Sequence, residues 1–283
     1  MHNEDYTIRT MGRKEIDIAI DWAGAEGWNP GMHDADCFYA ADSSAFLIGL
    51  LNSEPIACIS AVKYGATFGF VGFYIVKPEF RGKGYGIQIW NSGLERLGGR
   101  NVGLDGVIDQ QNNYRKSGFK LAYRNIRYEG MGGGRNPQDP RTIHLRTVPF
   151  EKLTAYDRKF FPEDRAPFLS SWINQPGSTA LGIMENGGVT AYGVFRPCRS
   201  GYKIGPLFAD HSDLAALLFQ SLKSRAKEGD PVYLDIPEVN RSAVSLAEDH
   251  NMKFVFETAR MYTGEIPDLP LDRVFGVTTF ELG

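Results

Sequence analysis

Apolar and polar residues alternate along the chain with two periods, which predict strands and helices in a repeating order. Phe68–Val76 is almost wholly apolar, as expected of a central strand that is buried on both faces. Ile87–Leu97 has apolar residues at steps of three and four, which predicts a helix soon after that strand. The other elements predicted for the first half are helices over Lys14–Ala23 and Asn112–Ser117 and strands over Tyr6–Thr10, Ala45–Leu51, Pro55–Tyr64, Asn101–Ile108 and Lys120–Tyr128.

The same order of elements returns in the second half, which indicates duplication of one α/β unit. Leu145-Arg146-Thr147 echoes Ile8-Arg9-Thr10. Between the halves, GMGGGRNPQDP (130–140) is rich in glycine and proline and predicts a linker. We therefore expect a domain over 1–130, a linker over 131–140 and a second domain over 141–283. Its predicted strands are Ile143–Thr147, Ala180–Glu185, Val189–Arg196, Tyr202–Phe208, Pro231–Ile236, Lys253–Tyr262 and Val274–Glu281, and its predicted helices are Leu214–Ala226 and Ser242–His250.

Composition and charge narrow the class of protein. The 283 residues carry a formal net charge of −3, without the basic excess typical of proteins that bind nucleic acid or membrane surfaces. The three cysteines are far apart and the five histidines lack ligand spacing, so neither a disulfide framework nor a metal site is expected. The N-terminus is polar, and no apolar run reaches the roughly 20 residues of a membrane helix. These features predict a soluble, cytoplasmic monomer or homodimer.

The stretch FRGKGYG (80–86) links the apolar strand to the helix. It matches neither the dinucleotide fingerprint nor the P-loop pattern. Glycines let backbone N–H groups approach a phosphate, and a helix N-terminus adds free donors and a favourable dipole. A glycine-rich turn without a ligand is the plain alternative, but the flanking strand and helix favour a phosphate cradle.

The segment VKPEFRGKGYGIQIW (76–90) resembles the acetyl-CoA pyrophosphate loop of the GNAT acetyltransferase superfamily. The resemblance implies an α/β fold with two tandem GNAT-like domains, each a mixed, mostly antiparallel twisted sheet flanked by helices. It implies acetyl-CoA as cosubstrate and no metal. The cosubstrate-binding residues that it implies are Tyr74, Ile75, Val76, Arg81, Gly82, Lys83, Gly84, Tyr85 and Gly86.

A second family motif falls on the short helix after the fifth strand. Tyr114, followed by Gly118-Phe119, matches the part of the motif that carries the family's general acid, which protonates the leaving CoA thiolate. The asparagine expected seven residues earlier is Val107. A half-buried aromatic without a catalytic role is the alternative interpretation of Tyr114.

The second domain has the first part of this motif at Asn240, Ala243 and Leu246, but Ala247 stands at the tyrosine position. Residues 209–218 lack the arginine and the glycines, and Asp210 and Asp213 would repel phosphates. We therefore expect this domain to bind no acetyl-CoA and either to complete the substrate pocket or to bury a face of the first domain.

The general base and the acceptor site are less evident, because FGFVGFYIV (68–76) contains no acid. The resemblance places the acceptor pocket at the loop over residues 24–42. Its candidate substrate-binding residues are Glu26, Trp28, His33 and Asp34. Each also has a structural interpretation, Asp34 as a helix cap and Trp28 as a core residue.

These features predict an N-acetyltransferase that moves acetyl from acetyl-CoA to a primary amine of a small molecule by direct attack in a ternary complex. One alternative is an acyl-CoA-binding sensor without turnover, which the missing base leaves open. The other is a protein-lysine acetyltransferase. A second domain packed over the site would favour the small molecule, and an open groove would favour a peptide.

Overall fold

The computed structural model describes residues 5–283, so the first four residues of the polar N-terminus lie outside the described part. The strands are β1 (Tyr6–Thr10), β2 (Phe46–Leu51), β3 (Glu54–Tyr64), β4 (Phe68–Val76), β5 (Asn101–Val107), β6 (Lys120–Met131), β7 (Thr142–His144), β8 (Thr179–Glu185), β9 (Gly188–Pro197), β10 (Tyr202–Ala209), β11 (Pro231–Pro237), β12 (Lys253–Tyr262) and β13 (Val274–Gly276). The helices are α1 (Ile16–Ala25), α2 (Asp34–Ala41), α3 (Tyr85–Arg96), α4 (Gln111–Lys116), α5 (Phe150–Asp157), α6 (Ala166–Ile173), α7 (Ser212–Lys223) and α8 (Arg241–Asp249).

Local sequence signals account for the elements that agree with the predictions. β4 coincides with the apolar run that predicted it. Tight turns join β2 to β3 and β8 to β9, and both residues of each turn have positive φ, at Asn52-Ser53 and at Asn186-Gly187. Turns of this kind match the twist of paired strands. The predicted α/β fold with mostly antiparallel strands flanked by helices is confirmed, but the two units share one sheet instead of having one each.

Three helices were not predicted, and two predicted strands were wrong. The predicted loop over residues 24–42 contains α2. Helices α5 and α6 were missed, although Phe168, Leu169 and Trp172 of α6 have helical spacing and are buried. The predicted strand 143–147 ends at His144 and continues as a 3-10 turn, and the predicted strand 274–281 ends at Gly276. In these two predicted strands, apolar and polar residues alternate because distant parts of the chain cover them. Alternation alone does not make a strand, because a strand also requires a neighbouring strand to pair with.

The two halves, residues 5–131 and 142–283, share one sheet and exchange strands at its centre. The strand order is β1-β2-β3-β4-β5-β12-β6-β11-β10-β9-β8-β7. β12 of the second half pairs antiparallel with β5 of the first, and β6 of the first half pairs antiparallel with β11 of the second. Hydrogen bonds therefore cross the predicted domain boundary at both strands, and the boundary itself stays a prediction.

The chain after β12 connects the two halves a second time. β13 pairs antiparallel with β10, next to the short parallel pairing of β10 with β11. The tail that follows, residues 277–283, crosses to the first half, where the Tyr64 hydroxyl donates to the Leu282 carbonyl at 3.1 Å. The tail is buried throughout. The tail thus connects the two halves.

Apolar side chains form three clusters. One lies under α3 and α4 of the first half, and another lies under α7 and α8 of the second half. The largest lies on the opposite face of the sheet and combines α1, α2, α5, α6 and the tail. That face, between the two halves, is called the interior here.

The interior also contains four buried arginine–aspartate pairs. Three join the halves: Arg127 with Asp235, Arg196 with Asp34 and Arg260 with Asp105. The fourth, Arg165 with Asp157, holds the tail, since Arg165 also donates to the Gly283 carbonyl at 3.1 Å. Buried ions need close partners because desolvation is costly, so these pairs fix how the halves sit together.

Candidate functional site

The candidate site begins where β4 and β5 separate. The two strands pair in parallel from Phe68–Asn101 to Val71–Leu104, and no pairing follows. Beyond this point β4 contains a bulge, with a register shift against β3 and a φ of +48° at Phe73. The Cys58 thiol donates to the Phe73 carbonyl at 3.2 Å. Bulges bend a strand and stop its pairing, so this one leaves a cleft bordered by Tyr74, Ile75 and Val76.

The loop after β4 places backbone donors at the mouth of the cleft. Gly82 and Gly84 have φ of +77° and +89°, a region that side chains other than glycine rarely adopt. Gly84 is the N-cap of α3. Among the described residues, no acceptor bonds the backbone N–H groups of Gly82, Lys83 and Gly84. Free N–H groups at the start of a helix form an anion site.

Gly86 is needed for a different reason from Gly84. A Cβ at Gly86 would lie 2.7 Å from the Tyr74 hydroxyl oxygen, whereas a Cβ at Gly84 would have no heavy atom within 4 Å. Gly86 therefore allows α3 to pack closely on β4, and Gly84 provides the left-handed backbone. Tyr85 is buried between Tyr6 and Phe80, with the Tyr6 ring centroid 4.9 Å away.

The two cations of the loop are held by neighbouring groups. Arg81 donates from Nε to the Val76 carbonyl at 2.8 Å and pairs with Glu26 at 2.5 Å. Lys83 Nζ lies 5.4 Å from the centroid of the Phe80 ring. Glu26, which the sequence suggested for the acceptor, thus lies beside the loop at the end of α1.

Tyr114 belongs to an aromatic cluster on the outer face of the cleft. Its ring stacks on Trp90 with centroids 5.5 Å apart, and Trp90 contacts Tyr74 at 5.0 Å. A Cβ at Gly106 would collide with the Tyr114 ring, so this glycine makes room for it. Burial raises the pKa of Tyr114 above its ordinary value, and the negative charge of an ionised Tyr74 would raise it further. The hydroxyl therefore stays protonated at neutral pH and can donate a proton.

The other predicted acceptor residues have structural contacts, and those of Asp34 reach the second half. Asp34 is buried, and its carboxylate accepts from the Gly31 N–H at 2.8 Å and from Arg196 Nε at 2.9 Å. An amine could reach Asp34 only if this ion pair opened. The carbonyl of half-buried Trp28 accepts from Arg127 at 2.7 Å, and half-buried His33 is the N-cap of α2.

The structure therefore divides the predicted site residues into two groups. The cleft and loop residues lie together with Tyr114 around the start of α3. Glu26 lies beside the loop, whereas Trp28 bonds to Arg127 of β6, His33 caps α2, and Asp34 pairs with Arg196 of the second half. The sequence analysis missed the tail, whose residue Glu281 lies directly over Gly72 of β4. No local signal connects these residues, which are far apart in the chain.

A cavity of about 30 Å³ lies in the interior, beside the first residues of β4. Its lining includes the aromatic side chains of Tyr123, Phe161 and Tyr262 and the buried Arg165 and Arg260. The residues from 5 onward contain no group of three or more potential metal ligands. No helix in the same range is long and apolar enough to cross a membrane.

Comparison with known proteins assigns the same fold to both halves. Residues 14–119 match the model of the acetyltransferase (GNAT) family, and residues 153–276 match a model of an acetyltransferase (GNAT) domain. The holothin acyltransferase of a Pseudoalteromonas species is 28% identical over 281 residues, which cover 99% of this chain and 96% of that protein.

Two solved structures extend the likeness over nearly the whole chain. A crystal structure described as "A Putative Acetyltransferase" from Pyrococcus horikoshii aligns with a TM-score of 0.84 at 22% identity, covering all of this chain and 98% of that one. A tandem GNAT protein from the clavulanic acid biosynthesis pathway aligns with a TM-score of 0.63 at 11% identity, covering 93% of this chain and all of that one. At these identities the likeness establishes the fold.

Proposed function

Because the chain belongs to the GNAT superfamily of acyltransferases as a tandem member, we propose that it transfers acetyl from acetyl-CoA to a primary amine of a small molecule. Transfer is by direct attack in a ternary complex, with acetyl-CoA in the first half. The observation that carries this proposal is the row of free N–H groups at Gly82, Lys83 and Gly84, beside a cleft that is open between β4 and β5.

The loop and the cleft divide the cosubstrate between them. The free N–H groups and the dipole of α3 hold the pyrophosphate, which would otherwise lose its hydration without compensation. The pantetheine arm follows β4 beyond the bulge, where Tyr74, Ile75 and Val76 have no strand partner on the β5 side. Glu26 keeps Arg81 against the end of β4 and so fixes the entrance of the loop.

Tyr114 supports the leaving group. As the amine attacks the carbonyl carbon, the C–S bond breaks and sulfur takes the electron pair. A thiol has a pKa of about 8.5, so the thiolate leaves more easily near neutral pH when an acid protonates it. The protonated hydroxyl of Tyr114 lies on the outer face of the cleft in a cluster that fixes its ring.

The second half covers the acceptor side of the cleft, which favours a small molecule over a protein lysine. The segment between α1 and α2 is bonded to the turn between β9 and β10, where Asn29 and Ser200 exchange two hydrogen bonds of 2.9 Å. A folded protein could present a lysine there only if the halves separated.

Calorimetry and an amine panel test the proposal. Titration with acetyl-CoA should give one site per chain, since only the first half has the loop. A panel of alkylamines, arylalkylamines, amino sugars and a lysine peptide is then tested for release of free CoA thiol. We expect release with small amines and none with the peptide.

Three results would contradict parts of the proposal. Two equivalent acetyl-CoA sites would place a cosubstrate in the second half. Release with the peptide alone would favour protein lysines. Tight binding without release from any amine would favour a sensor without turnover.

A further inference from the structure

The fourth strand leaves an unfilled position where the acceptor must meet the acetyl group. β4 contains no acid, and Gly72 directly follows the last residue that pairs with β5. The missing side chain at Gly72 would point into the interior, where a Cβ would collide with the backbone of Glu281. The tail thus occupies the space that a side chain of β4 would otherwise fill.

The tail is fixed on both sides of Glu281. Upstream, the Val277 N–H donates to the Asp235 carbonyl at 2.8 Å. Downstream, the Leu282 carbonyl accepts from Tyr64 and the Gly283 carbonyl accepts from Arg165, each at 3.1 Å. The backbone of Glu281 therefore holds a defined position against Gly72.

The carboxylate of Glu281 differs from every other buried carboxylate of the interior. The aspartates at 34, 105, 157 and 235 each pair with an arginine. Glu281 is only 4% exposed and accepts from the Thr279 hydroxyl. In the part of the chain that the structure describes, no cation lies within ion-pair distance of it. A buried carboxylate without a directly bonded cation is costly, and such groups concentrate at functional sites.

Asp105 on β5 is the other carboxylate near the opening of the cleft, and its contacts exclude the same role. Both of its oxygens accept from Arg260, at 2.8 and 2.6 Å, and one also accepts from Asn125 at 2.8 Å. Both oxygens are therefore held in an ion pair, which an incoming amine would have to displace. Asp105 therefore holds β12 on β5, while Glu281 keeps an oxygen free.

We propose that Glu281 is the general base of the reaction, so that the second half supplies a catalytic residue to the acetyl-CoA site of the first half. This inference rests on the proposed function. The ammonium form of the acceptor gives one proton to the Glu281 carboxylate, and the neutral nitrogen then bonds to the acetyl carbon while the C–S bond breaks. Tyr114 protonates the thiolate and is reprotonated, through solvent, by the proton that the nitrogen releases. Glu281 returns its proton to water, so one proton is released per turnover.

The charged groups facing Glu281 come from four strands. They are Asp105 on β5, Arg127 on β6, Arg196 on β9 and Lys203 on β10. All four are buried in the interior, so a pH profile must be compared between variants that leave all of them unchanged.

The test uses Glu281→Gln in the full chain, which keeps the shape and removes the base. Two probes are compared, ethylamine and hydroxylamine, both small enough for a narrow pocket. An alkylamine has a pKa near the value of about 10.4 for lysine and is an ammonium ion at pH 7.5, whereas hydroxylamine is largely neutral there. With ethylamine, kcat should fall about 10²–10⁴-fold, because a general base is lost. With hydroxylamine the fall should be much smaller.

If Glu281 had a purely structural role, Glu281→Gln would lower kcat equally with ethylamine and with hydroxylamine. The ratio of the two losses in kcat therefore distinguishes a base from a structural residue. The dependence of kcat on pH should also differ between the wild type and Glu281→Gln, and the acetyl-CoA affinity should not change. Glu257→Gln is the matched control, since Glu257 pairs with Arg124 away from the site at 30–32% side-chain exposure. Its kcat should equal that of the wild type.

Wild-type kcat in a folded Glu281→Gln, or equal losses with both probes, would overturn this inference and leave the proposed function standing. A wild-type protein that binds acetyl-CoA but acetylates neither probe nor any amine of the panel would overturn both. If Glu281→Gln does not fold, Glu281→Asp decides, because it keeps the charge and shortens the side chain. A lower kcat at unchanged acetyl-CoA affinity supports the base, and an unchanged kcat overturns it.

Discussion

The two halves have the same fold, yet among the described residues only the first half has an open cleft and a glycine-rich loop after its central strand. In the first half, residues 77–84 connect β4 to α3 and provide the glycines. In the second half, β10 ends at Ala209 and α7 begins at Ser212, which leaves no chain for a cradle. The gap beside β10 is filled by β13, which pairs with β10 at Leu207 and Phe208. A site of this kind thus depends on a few residues at a strand end.

The residues that replace the site in the second half have structural roles. Asp210, after β10, accepts from the Tyr156 hydroxyl at 3.0 Å and lies 3.7 Å from Arg273. Asn240 caps α8 by accepting from the Ala243 N–H at 3.1 Å. The matching half of the family motif therefore serves the helix in this half. The difference teaches that two copies of one scaffold can keep the same fold although only one of them has the glycine-rich loop and the open cleft.

The largest expected effect concerns a buried ion pair that joins the two halves. Asp235→Ala should lower the free energy of unfolding by about 3–5 kcal/mol, because it leaves the buried Arg127 without its partner. Urea unfolding followed by tryptophan fluorescence measures the loss, and both halves should unfold in one transition. The control is Arg141→Ala, which removes only exposed, solvent-screened ion pairs and should change the free energy of unfolding little. Two separate transitions would mean that the halves are independent.

The next effect concerns the acid that only the first half has. Tyr114→Phe should lower kcat about 10²-fold at neutral pH with little change in acetyl-CoA affinity, because the ring still stacks on Trp90. The defect should shrink as the pH rises toward the thiol pKa of about 8.5, where the thiolate leaves without an acid. Tyr156→Phe is the control in the second half and should cost about 1 kcal/mol of stability without changing kcat. Normal turnover by folded Tyr114→Phe at every pH would remove this tyrosine from the mechanism.

A third effect separates two glycines with similar backbones. Gly84 and Gly187 have φ of +89° and +78°, and a Cβ at either would meet nothing within 4 Å. Alanine at each should cost about 1–2 kcal/mol in the left-handed region. Only Gly84→Ala should also weaken acetyl-CoA binding, by about tenfold or more, because the loop can relax and turn its N–H groups away. Calorimetry and thermal unfolding of both variants give the comparison, and equal acetyl-CoA affinity in the two would show that the Gly84 backbone is not needed.

The smallest effect concerns the tripeptides that the halves repeat. Arg9 pairs with Glu15, and this pair together with the Gly12 N–H lowers the pKa of Glu15 to about 2. A lowered carboxyl pKa stabilises the fold above the unfolded value of about 4.3, and the gain is lost as the pH falls toward 2. Glu15→Gln should therefore cost less than about 1 kcal/mol at pH 7, since the pair is partly exposed, and nothing near pH 2. Arg146→Gln, at the position that corresponds to Arg9, should be neutral throughout, and an equal loss there would contradict this view.

The sequence predicted most of the secondary structure because local patterns control it. The apolar run of β4, the turn at Asn186-Gly187 and the helix after the loop are each recognisable within a short window. The glycine loop could be predicted for the same reason. Its residues are contiguous, and each has a local backbone requirement. Asp34 illustrates the limit of prediction from local sequence. Its neighbours in the chain suggested a substrate pocket, whereas its actual partner, Arg196, lies in the other half.

By itself the sequence determined the duplicated α/β unit, the loop at 80–86 and the position of Tyr114, because these depend on local backbone geometry and spacing. Only the tertiary structure decided that β6 and β12 change places, that β13 fills the second gap and that Glu281 lies over Gly72. Strand pairing and the pairing of buried charges depend on which distant segments come into contact. Hydrogen bonding and desolvation determine these contacts, and neither leaves a local pattern in the chain.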